Sequence, residues 1–187
     1  MKKQLSLVVA LVTLLTTLVA AMPANAAFSD VPDDYKYKDA ITTLSTLNVI
    51  NGYENGTFEP EKSITRAEFT KIIVYMLGSD NMTEKITQFE DVSEDHWANA
   101  NIKTAYDLGI INGFDEKTFK PDDPVTYEQA LKMVVCALGY ETLAEQNGGY
   151  PQGYQAEAAA LELTDDITDT GYEANASRGV GAERMYN

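Results

Sequence analysis

A single cysteine, Cys136, leaves this 187-residue chain without a disulfide framework. It lies on an apolar helical pattern and reads as core. One histidine, His96, stands beside Trp97 at the start of a helix pattern and reads as a cap or surface residue. With no G-x-S-x-G or phosphate-loop motif, no nucleophile–base pair is available and no catalytic residue is expected. Basic residues are scarce, 14 Lys and Arg against 29 Asp and Glu, for a formal net charge of −15. So acidic a balance leaves little basic surface to displace counterions from phosphates, which argues against nucleic acid as a partner. After residue 26 no apolar run is long enough to span a bilayer. Paired carboxylates abound, but in so acidic a chain they carry no specific information. Asn51, Asn55 and Gly56 echo a calcium loop, yet Tyr53 fills the third position and Lys62 the twelfth, where Glu belongs. Asp165, Asp166 and Asp169 read as a solvated loop, with a surface ion as the alternative. No metal and no cofactor is expected.

Residues 1–26 have the form of a secretory signal peptide. Lys2 and Lys3 precede an apolar run from Leu5 to Ala21, and Ala24-Asn25-Ala26 forms an A-x-A cleavage site. The alternative is an uncleaved anchor, disfavoured by Ser6, Thr13, Thr16 and Thr17 within the run. Cleavage leaves 12 basic residues against 29 acidic ones, a formal −17. A secreted chain without disulfides must be held by its apolar core.

The stretch from Thr65 to Gly78 organises the rest. Phe69, Ile72, Ile73, Met76 and Leu77 fall at i, i+3, i+4, i+7 and i+8, one face of a helix. Thr65 and Glu68 have capping-box spacing, and Gly78 stands where a C′ glycine ends a helix. Arg66 is the misfit, a cation at the positive end of the dipole, at a cost of roughly 0.3–1 kcal/mol. It reads either as a solvated side chain whose stem covers apolar surface, or as a cation placed with free helix N–H groups to meet an anion.

The chain repeats itself at an offset of 61 residues. Phe28-Ser-Asp-Val31 returns as Phe89-Glu-Asp-Val92, and Ile50-Asn-Gly-Tyr53 as Ile111-Asn-Gly-Phe114. Thr57-Phe58-Glu-Pro60 meets Thr118-Phe119-Lys-Pro121, and Lys71 meets Lys132. Each unit has an opening segment, a first helix, a Gly/Asn-rich loop and a second helix. First helices are expected near Tyr37–Asn48 and Trp97–Gly109. Ala40, Ile41, Leu44 and Leu47 face inward in one, and Trp97, Ile102, Ala105 and Leu108 in the other. Asn55-Gly56 marks a tight turn, and Phe58 and Phe119 plug their loops into the core. Thr126 and Gln129 repeat the capping box, and Ala130, Met133, Val134, Ala137 and Leu138 repeat the stripe. Residues 79–88 and 140–151 read as polar linkers.

A third, degenerate unit spans 152–187. Gly153–Leu163 is an Ala-rich helix pattern, and Ala176-Ser177-Arg178 matches Ile64-Thr65-Arg66. Ser177 can cap, but Val180 stands where Glu68 would complete the box. The chain ends mid-pattern, so a fragment is expected, with a C-terminal cargo domain beyond it.

These motifs resemble the S-layer homology family. The features are F-x-D-V, His96-Trp97-Ala98, the Ile-Asn-Gly loop starts, T-F-x-P, and I-T-R-A-E at Ile64–Glu68. The likeness is strong over 28–139 and weak over 150–187. It implies an all-α fold of tandem helix-loop-helix repeats packed as a pseudo-threefold helical prism, with repeats at 27–78, 89–139 and 152–187. It implies a non-catalytic module that binds a secondary cell-wall polymer, a peptidoglycan-linked polysaccharide that often carries pyruvate ketals. Such a module tethers a surface protein to the bacterial wall.

Carried over by position, Arg66 and Arg178 are anion-binding candidates. Gly52 and Gly113 are glycines where the loop approaches a sugar, and Trp97 is a stacking or groove-wall residue. Thr65 and Tyr127 complete the expected ligand-binding set. Tyr127 replaces the arginine in unit two, so the grooves are expected to be unequal. A charge near −17 should repel an anionic polymer at long range, but screening at about 8–10 Å leaves binding to local cations. The alternative reading is a helical-repeat scaffold for protein–protein interaction at the cell surface.

Overall fold

The computed structural model describes residues 28–79, 83–86, 88–164 and 171–186. The expected signal segment and Asp165, Asp166 and Asp169 lie outside the described residues. Among the described residues the fold is all-α, with seven helices and no strand. They are α1 Lys38–Thr46, α2 Arg66–Met76, α3 Asn99–Asp107, α4 Tyr127–Ala137, α5 Glu141–Gln146, α6 Gln152–Ala160 and α7 Arg178–Tyr186. None is long and apolar enough to cross a membrane. The stretch read as a polar linker at 140–151 holds α5.

The helix boundaries follow local chemistry. The Thr65 hydroxyl accepts from Glu68 N–H at 3.2 Å while Glu68 Oε2 accepts from Thr65 N–H at 2.9 Å, a complete capping box. Thr126 and Gln129 repeat it. In unit three only half survives, with Val180 N–H donating to Ser177 Oγ at 3.3 Å. Each helix of the first two units ends in a left-handed residue, Asn48, Gly78, Gly109 or Gly139. The next amide then reaches back five residues, as in Ser79 N–H to Val74 O at 3.0 Å.

The repeats interlock. The first helix of each unit packs on the second helix of the unit before it: α3 on α2, α6 on α4, and α1 on α7. The last of these closes the chain on itself. At the centre, three backbone bonds form a ring: Ile64 N–H to Ala176 O, Ala176 N–H to Val125 O, and Val125 N–H to Ile64 O, at 2.9, 2.9 and 3.1 Å. Isolated bridges pair Ser63 with Ser177, Thr65 with Pro124 and Thr126 with Asn175.

The buried stripe differs from expectation at its ends. Ile41, Leu44, Phe69, Ile72, Ile73, Ile102, Ala105 and Met133 are buried as expected, and so are Phe58 and Phe119. Leu47, Met76, Leu77, Leu108 and Leu138 are instead exposed, Leu77 at 42%. The four leucines are C-cap residues, where the helix ends before its neighbour can cover them. Burial widens sideways in compensation. Ala67, Thr70, Val74, Leu131 and Val135 are also buried, because α2 touches α4 and α7 as well as α3.

The F-x-D-V aspartates hold the loops. Asp30 accepts from Phe58 N–H and Glu59 N–H, both at 2.7 Å. Asp91 does the same for Phe119 and Lys120, at 2.9 and 2.7 Å. Glu59 and Lys120 have positive φ, 56° and 59°, so each aspartate clamps a strained bend that drives a phenylalanine inward.

Candidate functional site

The interlocking places each helix start against the loop of a different unit. Arg66 and Ala67 N–H donate to Asp123 O and Pro121 O at 3.0 and 2.9 Å. Arg178 and Gly179 N–H donate to Lys62 O and Pro60 O at 2.8 and 2.9 Å. Tyr127 and Glu128 N–H donate to Ala174 O and Tyr172 O at 2.9 and 3.0 Å. This corrects one expectation: the amides in the first turn are spent on neighbouring loops and are not free for an anion. Thr65 is likewise committed to its cap.

The side chains of the two arginines remain at the junctions. Arg66 Nε donates to Phe119 O at 2.9 Å, and its guanidinium lies 4.7 Å from the Phe119 ring centre. Arg178 Nε donates to Phe58 O at 3.0 Å, with 4.6 Å to the Phe58 ring. The pairing crosses units: the arginine of unit one serves the loop of unit two, and that of unit three serves the loop of unit one. Burial pulls the Arg66 pKa down, opposed by the nearby Asp123, Tyr150 and Asp91. A guanidinium stays charged at neutral pH regardless.

Two equivalent grooves result. The first, of about 260 Å³, is lined by Asn51, Gly52, Tyr53, Glu68, Lys71, Trp97 and Arg178 over an apolar floor. The second, of about 220 Å³, is lined by Asn112, Gly113, Phe114, Gln129, Lys132, Tyr150 and Arg66 over a similar floor. Each therefore combines an arginine, a lysine from the second helix, a loop with Asn-Gly-aromatic, and an aromatic from the chain that follows that helix, Trp97 or Tyr150. Trp97 is not part of the α3 core stripe; it precedes the helix, is 56% exposed and stacks on His96. Tyr150 stands in its place in the second groove and donates to Glu128 Oε1 at 2.9 Å. Lys132 Nζ lies 5.4 Å from the Tyr150 ring and 5.5 Å from that of Tyr154.

Gly52 and Gly113 line the grooves and also meet a steric need. A Cβ on Gly52 would stand 2.1 Å from Phe28 Cε1, and one on Gly113 would stand 2.6 Å from Phe89 Cε1 and 2.1 Å from Asp115 O. Tyr127, the third counterpart of the arginines, is buried. With Phe69 and Val180 it lines a void of about 10 Å³, too small for a sugar. Sequence reasoning missed Lys71, Lys132, Phe114 and Tyr150 as groove residues. The recurrence of lysine at the same register of both units was the available signal.

The fold and grooves define a repeat protein with paired cationic, aromatic-edged clefts. Two segments, 27–70 and 88–131, match the family described as S-layer homology domain. The chain belongs to this family. It is 32% identical over 167 residues to a cell surface protein of Thermoanaerobacter kivui, covering 87% of this chain and 21% of that protein. It is 34% identical over 174 residues to a middle cell wall protein of Brevibacillus brevis, covering 90% and 16%. It is 31% identical over 172 residues to a surface layer protein of Brevibacillus choshinensis, covering 90% and 15%. The chain thus spans about a fifth or less of these relatives. The family and these relatives indicate a cell-surface or cell-wall location.

Proposed function

We propose that this chain is a non-catalytic wall-anchoring module that holds a surface protein on a secondary cell-wall polysaccharide bearing carboxylates such as pyruvate ketals. The carrying observation is Arg66. Its Nε bonds the Phe119 carbonyl and its guanidinium lies over the Phe119 ring, while among the described residues no carboxylate lies within 4.0 Å of that guanidinium. A ketal carboxylate is planar and rigid on its sugar, and a guanidinium edge can take it through two parallel bonds. Lys132 adds a second charge from the same groove, and Phe114 and Tyr150 offer ring faces to the sugar. Among the described residues no acid lines that groove, and the nearest carboxylates lie outside its lining: Glu128 accepts from Tyr150, and Asp123 and Asp91 act on Arg66 from nearby.

The test is retention of the recombinant chain on purified walls, before and after acid extraction of the polymer. The intact chain is expected to bind only unextracted walls. Arg66→Ala is expected to weaken retention by about tenfold or more at unchanged helical content. Equal binding to extracted walls would remove the polymer as ligand.

A further inference from the structure

The two grooves differ at one aligned position that decides which guanidinium is available. Glu68 in α2 and Gln129 in α4 close equivalent capping boxes through one side-chain oxygen. The second oxygen of Glu68 accepts from Arg178 Nη1 at 2.6 Å, while Arg178 Nη2 donates to Asn51 O at 2.8 Å. Together with the Nε bond to Phe58 O, every nitrogen of this guanidinium has an internal partner, and the arginine is 6% exposed. Gln129 carries no charge, and among the described residues no carboxylate pairs with Arg66 in the second groove. The linings show the same contrast: Arg178, Lys71 and an acid in one, Arg66, Lys132 and no acid in the other.

We propose that Glu68 is an internal stand-in for the ligand's carboxylate, so that the chain takes one carboxylate-bearing sugar, in the Arg66–Lys132–Tyr150 groove. This rests on the wall-polymer reading above. A ligand carboxylate entering the Trp97 groove must displace Glu68 from Arg178. That strips a partly buried acid of its partner, so what the ligand gains is cancelled by what Glu68 loses. Lys71 stays in that groove as a point charge, without the planar fork that recognises a carboxylate bidentately. Residue 68 of unit one and residue 129 of unit two therefore set which groove reads acid.

Exchange of these residues tests the proposal without dismantling the fold, because each is already the capping residue of the other unit. Isothermal titration uses a monosaccharide bearing a pyruvate ketal, with the ketal-free sugar as control and wall retention measured in parallel. The wild-type chain is expected to bind one equivalent. Glu68→Gln is expected to raise this to two by releasing Arg178, and Gln129→Glu to abolish binding by engaging Arg66. Two equivalents in the wild type, or one in Glu68→Gln with wall retention intact, would overturn the inference and leave the wall tether standing. Absence of both wall retention and sugar binding in the wild type would remove the tether reading and this inference with it.

Discussion

Arg66 and Arg178 occupy the same register of their units and make the same Nε bond to a phenylalanine carbonyl, yet among the described residues only Arg178 has a carboxylate partner. The difference is one oxygen for one nitrogen, Glu68 against Gln129. Residue-scale energetics are equally local. Gly52→Ala drives a methyl into Phe28 and should destabilise the chain by about 1–3 kcal/mol, read as a lowered denaturant midpoint. Ile73→Ala, at a fully buried site, should cost ~2–5 kcal/mol. Leu77→Ala, at a half-exposed C-cap, should cost under about 1 kcal/mol. Equal costs for the two would mean that the core lies elsewhere. The arginines were legible in the sequence because a cation at a helix start is uncomfortable and recurs. Lys71, Lys132 and Tyr150 were not, since a polar residue on a helix flank or at a turn is ordinary until tertiary packing gives it a groove.

At the scale of elements, capping and the F-x-D-V clamp set the chain path. Thr65→Ala removes the acceptor for Glu68 N–H and should cost about 0.5–2 kcal/mol. Hydrogen exchange should then speed first in the opening turn of α2; protection unchanged there would count against the cap. Asp30→Ala orphans Phe58 and Glu59 N–H beside a positive φ and should cost about 1–3 kcal/mol, with the loop exchanging faster than α2. Helix type, capping and repeat register were readable because 3.6-residue periodicity, box spacing and the 61-residue offset are local signals. The C-terminal leucines misled because periodicity says which face a residue is on and not how far the neighbouring helix extends. Helix α5 was hidden in a short polar stretch with few apolar positions to mark a face.

At the scale of the molecule, the units are not beads. Each first helix is completed by another unit, and α7 returns to α1. The ring through Ile64, Val125 and Ala176 makes every unit depend on the other two. The chain should therefore unfold in one transition by calorimetry. Truncation after Leu163 should lower the Tm of the whole remainder; a separate, unshifted transition would show that the units are independent. That closure could not be read from the sequence, where helix pairs look like neighbours within a unit. The closure brings Arg178 to the loop of unit one, and the packing of unit one on unit two brings Arg66 to the loop that makes its groove. The most direct test of the account is NMR of the arginine Nε–H resonances during titration with a pyruvylated sugar. Arg66 is expected to shift with saturation while Arg178 stays fixed; a moving Arg178 with a silent Arg66, or no response from either, contradicts it.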